Sequence, residues 1–458
     1  MQCIFDFKLK RTRSGSRFAD FGKIQKKMKP TSTLKCAKIR LCPIVGQGDA
    51  GNRGITPGGA RSHFAGTPPV QGRGQGNQAM KMKLKDKTLV IWVACIWFMI
   101  TCSSCSRPVS DEQSPRVLLP WIENGQYHFR VVELRTMESL KSLRGSVARF
   151  SVGVNGPEPI VRALRRSDGV FVPTDPMSQN LLSLYANLER LAELDDQVGV
   201  GYLLPRPWKI SINTNIVNEN QRRLHNNAQY DADRKMIEFT SFESRGDLPL
   251  TVNAGAIAHE HFHALFDVLV PSPASLQDCS AMEADQIAAR REARLRELYR
   301  VRLLRAMNEG LADVWGWIHS GDPRFVARSR PEDGELRSLE KGIQPIWTAK
   351  QFSDYNRAEG FCPRRSDQDF VYQLGNQYGL AFQWAFGSKD RVPVAHVVIE
   401  LLRKLKKDIM NFPDGDELKP ALLIENLARQ NPRQCPFLIS ILQPKDQSEL
   451  TWQCWETL

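Results

Sequence analysis

His259-Glu260-His261-Phe262-His263 reads HEHFH and fits the pattern HExxH. The pattern carries chemistry only on a helix. There, histidines four residues apart sit about 40° apart around the axis and roughly 6 Å along it. Both imidazoles can then reach one ion at the usual Zn–N distance of about 2.0–2.1 Å. The glutamate after the first histidine lies beside such an ion rather than on it, the place of the general base in a metalloprotease. Residues 254–270, rich in Ala, Leu, Ile and Phe and followed by Pro271 and Pro273, read as the required helix. His261 points about 200° away from its neighbours and reads as packing or support. The plainer alternative is a His-rich helix whose rings only find hydrogen-bond partners.

A catalytic zinc normally takes three protein ligands and a water, so a third ligand is needed. A histidine and glycine extension of the metzincin kind is absent, because Phe266 and Leu269 stand at its positions. Downstream, Asn308-Glu309-Gly310-Leu311-Ala312-Asp313 falls in a second helical stretch, residues 296–319. Glu309 and Asp313 are again four apart and share a face. Glu309 suits the third ligand, and Asp313 would fix the ring tautomer of a zinc histidine.

With HEHFH followed 46 residues after His263 by the glutamate of NEGLAD, the chain resembles the gluzincin metallopeptidases, the thermolysin-like and fungalysin-like clan. Asn227-Ala228, ahead of residues 235–242, resembles the edge strand that pairs with peptide substrate. The helix at 179–194 (QNLLSLYANLERLAEL) resembles the one preceding that strand. Val371-Tyr372-Gln373-Leu374-Gly375, running on to Leu380-Ala381, resembles the fungalysin VHxxG helix. The resemblance covers roughly residues 175–390. It implies a zincin-like α+β fold, Zn2+ held by His259, His263 and Glu309, catalysis by Glu260, and peptide or protein substrates along Asn227 and Ala228. Tyr372 departs from the pattern, standing where the family has an oxyanion-steadying histidine. A phenol donates to an oxyanion too, with Tyr378 and His396 as rivals.

The net charge of +13 raises a nucleic-acid reading, which its distribution counters. Residues 1–105 hold 19 Lys/Arg against 4 Asp/Glu, leaving −2 for the remainder. A nucleic-acid partner is therefore not expected. Residues 80–105 have a basic start (Met80-Lys81-Met82-Lys83), an apolar run over 89–100, and then Thr101-Cys102-Ser103-Ser104-Cys105. That is the layout of a secretory signal, too short to span a bilayer comfortably. It resembles a bacterial lipoprotein signal, with Cys102 the candidate lipid acceptor and Cys105 the second choice. The expected location is the cell envelope, anchored in the membrane on the periplasmic or outer-membrane face. Residues 1–79 hold 12 of the 31 glycines without periodicity and read as a disordered extension or a mis-assigned start. Beyond the leader only Cys279, Cys362, Cys435 and Cys454 remain, with Cys435–Cys454 a candidate disulfide.

Short runs at 128–134, 147–154, 170–172, 209–216 and 235–242 read as strands, so 106–175 is a strand-rich region. Residues 176–390 form the expected metallopeptidase core, and 391–458 a helical C-terminal region. Helices are expected at 372–386 and 394–410, with loops at 388–393 and 412–416. The charged run 289–305 reads as a solvated helix face. Strands first and helices after give an α+β reading. The favoured expectation is a zinc metallopeptidase. Its main rival is a non-catalytic envelope lipoprotein on a zincin-like fold, acting as a binding or scaffold module. A zinc hydrolase acting on another amide is a further alternative.

Overall fold

Asn124 and Gly125 both hold positive φ, +50° and +75°, the two-residue turn whose twist matches paired strands. They join β1 (Arg116–Glu123) to β2 (Gln126–Glu133) in an antiparallel hairpin. The structure, a computed structural model, describes residues 114–216, 224–241, 247–270, 291–359, 366–387, 390–410, 418–442 and 454. The expectations placed on residues 1–79, the signal with Cys102 and Cys105, Cys279, Cys362 and the loop at 412–416 lie outside the described residues. The chain divides into Met1–Ala94 and Cys95–Leu458, and every described residue belongs to the second unit.

After β3 (Met137–Ser139) and β4 (Arg144–Gly145), a small antiparallel pair, come β5 (Ala148–Val152), β6 (Ala163–Arg165) and β7 (Phe171–Pro173). The first four-stranded sheet runs β2-β1-β7-β6. Helix α1 (Pro176–Gln197) starts at Asp175, whose Oδ1 accepts from Ser178 N at 2.9 Å, with Pro176 at the first turn. Its buried stripe, Leu181, Leu184, Tyr185, Leu188 and Leu191, supplies much of the core between the sheets.

The second sheet decides where the site lies. It contains β8 (Trp208–Ile212), β9 (Ala228–Asp231) and β10 (Met236–Phe239), in the order β5-β8-β10-β9. β5, β8 and β10 are parallel, and β9 runs antiparallel on the outside. The strand beginning at Ala228 is therefore an edge strand. Helix α2 (Ala254–Leu269) follows, capped by Asn253 and packed against β9.

Then come α3 (Arg291–Ser320), α4 (Phe325–Ser329), α5 (Pro331–Arg337), α6 (Ala349–Glu359), α7 (Ser366–Phe386) and α8 (Arg391–Met410). Last are α9 (Leu422–Gln430) and α10 (Cys435–Ser440). The architecture is mixed α+β, strand-rich first and mostly helical after. α3 lies between α2 and α7. A disulfide joins Cys435 to Cys454, the pairing expected from their spacing.

Two details differ from the sequence reading. Residues 391–393, assigned to a loop, begin α8, since Pro393 near the start of a helix forfeits no internal hydrogen bond. Arg302, assigned to a solvated face, is buried and donates to Asn356, while Arg296, Arg300 and Arg305 are exposed. Among the described residues no helix is long and apolar enough to cross a membrane.

Candidate metal centre

The cap of α2 fixes its position. Asn253 Oδ1 accepts from Ala256 N at 3.2 Å, while its Nδ2 donates to Phe325 O and Ser329 Oγ at 2.7 and 2.9 Å. From that anchored start, the first turns bring His259, Glu260 and His263 round to face α3. His261 turns the other way. It is buried, with Nε2 3.0 Å from Asp195 Oδ2 and its ring 4.7 Å from that of Trp208, which accords with a packing role.

His259, Glu260 and His263 form a cluster whose donor atoms lie within 4.8 Å of one another and could hold a metal ion. A fourth donor arrives from α3. His259 Nε2 and His263 Nε2 are 3.0 Å apart, and the two oxygens of Glu309 stand 3.4 and 3.7 Å from them. Four-coordinate zinc with bonds near 2.05 Å sets its ligand atoms about 3.3 Å apart. The set His259, His263, Glu309 has that spacing. Glu260 is buried, and its carboxylate has no hydrogen-bond or ion-pair partner among the described residues.

Outer partners engage the Nδ1 atoms, and both Nε2 atoms face inward. His259 Nδ1 is 3.0 Å from Asp313 Oδ1, and His263 Nδ1 is 3.0 Å from Asn308 Oδ1. With protons on the two Nδ1 atoms, each ring donates outward and keeps an Nε2 lone pair for a cation. Asp313 stands where its spacing from Glu309 predicts. Asn308 is not marked in this way, although it opens the NEGLAD segment; an asparagine next to a candidate ligand is its only sequence sign.

Arg337, at the end of α5, has no sequence sign either. Its Nε and Nη2 donate to the two oxygens of Asp313 at 3.1 and 2.5 Å. Nη2 also lies 3.1 and 3.2 Å from the ring nitrogens of His259 and 3.7 Å from Glu309 Oε2. Above it, the Tyr372 ring sits 4.7 Å from the guanidinium carbon.

The charges around these contacts set the ionisation of each group. Burial and the Arg337 charge push the His259 pKa down. Asp313 and Glu309 outweigh them and raise it to about 9. Burial would raise the Glu309 pKa, but the His263 and His259 charges hold it well below the carboxylate range. Burial likewise opposes ionisation of Asp313, and Arg337 more than compensates. The charge of Glu309, then burial, push the Tyr372 pKa up, so its phenol stays protonated. Once a cation displaces the His259 proton, three carboxylates and one guanidinium would leave a deficit of two positive charges, the charge of one divalent ion. Among the described residues Glu309 Oε2 is buried with only the longer approaches of His259 and Arg337, and such an ion would satisfy it. The residues therefore fit a divalent metal.

Asn227 and Ala228 stand at the start of the edge strand. Asn227 Oδ1 accepts from Arg330 Nη1 at 2.9 Å, so that oxygen is already engaged. Tyr230 Oη donates to Asp267 Oδ2 at 3.3 Å and ties β9 to α2. Of the rivals to Tyr372, Tyr378 is buried and donates to Pro420 O at 2.8 Å. His396 is exposed on α8. Neither is brought to the cluster by any hydrogen bond or ion pair among the described residues. No protein-family model matches the chain, and comparison with curated proteins finds no match either.

Proposed function

We propose that the chain is a zinc-dependent metallopeptidase of the gluzincin kind, on a zincin-like fold, hydrolysing peptide bonds in peptide or protein substrates. The observation that carries this reading is one geometry. Two imidazole Nε2 atoms and the Glu309 carboxylate converge at 3.0–3.7 Å, with the Glu260 carboxylate, unpartnered among the described residues, beside them.

His259, His263 and Glu309 would hold the metal. When bound, zinc supplies Lewis acidity and makes water easier to deprotonate near neutral pH. Glu260, with no competing partner among the described residues, accepts the proton of the attacking water and passes it to the leaving amine. Tyr372, kept as a neutral phenol, donates a hydrogen bond to the developing oxyanion. Asp313 and Asn308 hold the two imidazoles in one tautomer and orientation, and Arg337 holds Asp313. An extended substrate would add to the outer edge of β9 at Ala228, unpaired among the described residues, where backbone groups fix its register. Asn227 supports that strand through Thr240, whose backbone N–H donates to Asn227 O at 2.9 Å.

Placement at the cell envelope through a lipid on Cys102 rests on the sequence of residues 80–105. Glu260→Gln tests the assignment of the base. The variant is expected to bind zinc like the parent and to lose hydrolysis of casein or a quenched peptide library. Turnover retained in that variant would remove Glu260 from its role.

A further inference from the structure

The C-terminal end of α3 lies about 15 Å along the helix from Glu309. There a cavity of about 440 Å³ opens against α1 and the start of α8, within the volume range of small-molecule sites. It is separate from the metal centre and shares none of its residues.

Two guanidiniums, Arg190 and Arg391, line this cavity, and neither has a hydrogen bond or ion pair among the described residues. Arg190 packs over Trp121, 5.4 Å from the ring centroid, and its Nη1 is buried with no hydrogen-bond partner among the described residues. The guanidinium of Arg391 rests against Gly321, which holds φ +72°. A β-carbon there would meet its nitrogens at 2.6–2.8 Å. That position after a helix end also favours a cation through the helix dipole, which gives Arg391 a purely structural alternative. Arg190 sits mid-helix, away from any helix end; the Trp121 ring meets one face of its guanidinium, and Nη1 finds no oxygen among the described residues. His319, 2 % exposed, is 3.3 Å from Asn187 through Nε2. Burial, then the Arg190 charge, hold it neutral.

The rest of the lining is sorted by depth. Leu194 and Ile318 are buried and apolar, whereas Glu193 and Asp390 are exposed at the rim. Glu193 Oε1 is 3.8 Å from Arg135 Nη1, a loose exposed pair that leaves its second oxygen available. Guanidinium nitrogens match a carboxylate in fork geometry, and a buried N–H without a partner gains most from one. The rim carboxylates would repel a multiply charged anion and attract an ammonium.

We propose that this cavity binds a small zwitterion whose carboxylate sits between Arg190 and Arg391 and whose ammonium faces Glu193 and Asp390. A free α-amino acid with an apolar side chain, resting on Leu194 and Ile318, is the simplest molecule of that class.

Calorimetric titration of the full chain with L-leucine, leucinamide, 4-methylpentanoate and inorganic phosphate tests the assignment. Saturable binding of L-leucine is expected, at least tenfold weaker in Arg391→Ala and Arg190→Gln. Leucinamide, lacking the carboxylate, and 4-methylpentanoate, lacking the ammonium, should each bind at least tenfold more weakly. Leucine affinity unchanged in Arg391→Ala would overturn the site. So would the absence of saturable leucine binding, or phosphate binding without it. Should Arg190→Gln fail to fold, Arg391→Ala decides alone, since its side chain is only half-buried. Zinc content is unaffected in either case, so failure here leaves the metal reading intact.

Discussion

Among the described residues, Arg337 carries the only guanidinium in contact with Asp313, and it does so with two nitrogens in a buried setting. Arg337→Ala would leave that carboxylate facing His259 alone, and breaking one side of a buried pair costs about 3–5 kcal/mol. Urea unfolding is expected to show a loss of that size. A change below about 1 kcal/mol would mean the pair is solvated and the cluster looser than described. Tyr372 makes a different contribution, because its phenol has no hydrogen-bond partner among the described residues and stays neutral beside Glu309. Removing only the hydroxyl, in Tyr372→Phe, should lower kcat by about 10²–10³ with zinc content and KM little changed. An undiminished kcat would take Tyr372 out of the oxyanion role. These two residues also mark the limit of what sequence carries. The i, i+4 spacings of His259/His263 and Glu309/Asp313 can be read directly, because a helix turns spacing into direction. Arg337 sits on a separate short helix, one of 63 Lys/Arg, with nothing local to single it out.

The elements meet at points where side chains have been omitted. A β-carbon on Gly310 would lie 2.2 Å from Gly375 O, and one on Gly375 would lie 2.9 Å from Ala306 O. α3 and α7 thus cross backbone against backbone, through the glycine of NEGLAD and the glycine of VYQLG. This gives both segments a packing reason independent of catalysis: Glu309, beside Gly310, and Tyr372, one turn before Gly375, are brought to the same place. Gly310→Ala must push the helices apart, with an overpacking cost of about 1–3 kcal/mol. The shift should also carry Glu309 away from the imidazoles, so zinc affinity is expected to fall along with stability. Loss of stability with unchanged zinc affinity, measured by chelator competition, would show that Glu309 does not depend on the crossing. The sequence places the ends of these helices to within a residue but starts them five and six residues late, at 296 and 372, while the crossing itself joins glycines 65 residues apart. β9 is not among the strands that residue patterning marks; its edge position is expected only from the resemblance at Asn227-Ala228, because it depends on pairing with β10, which no local pattern encodes.

For the whole molecule, the core runs without a break from Val117 in the first sheet through α1, α2, α3 and α7 to Cys454. The metal cluster lies where α2, α3 and α5 converge, so an ion there would bind the native arrangement and not the unfolded chain. A ligand with that preference stabilises the fold by about 2.7 kcal/mol at a free concentration 100 times its Kd. Without it, the three carboxylates keep Arg337 and the His259 proton as their compensation, which is why the cluster need not collapse when empty. EDTA is therefore expected to lower Tm by several degrees without abolishing cooperative unfolding, and added zinc to restore it. Glu309→Ala separates this linkage from general effects of chelation. Lacking the third donor, the variant should unfold at nearly the same temperature with or without EDTA. A full EDTA-dependent shift in that variant would place the stabilising ion elsewhere in the chain and remove the main support for a catalytic site between α2 and α3.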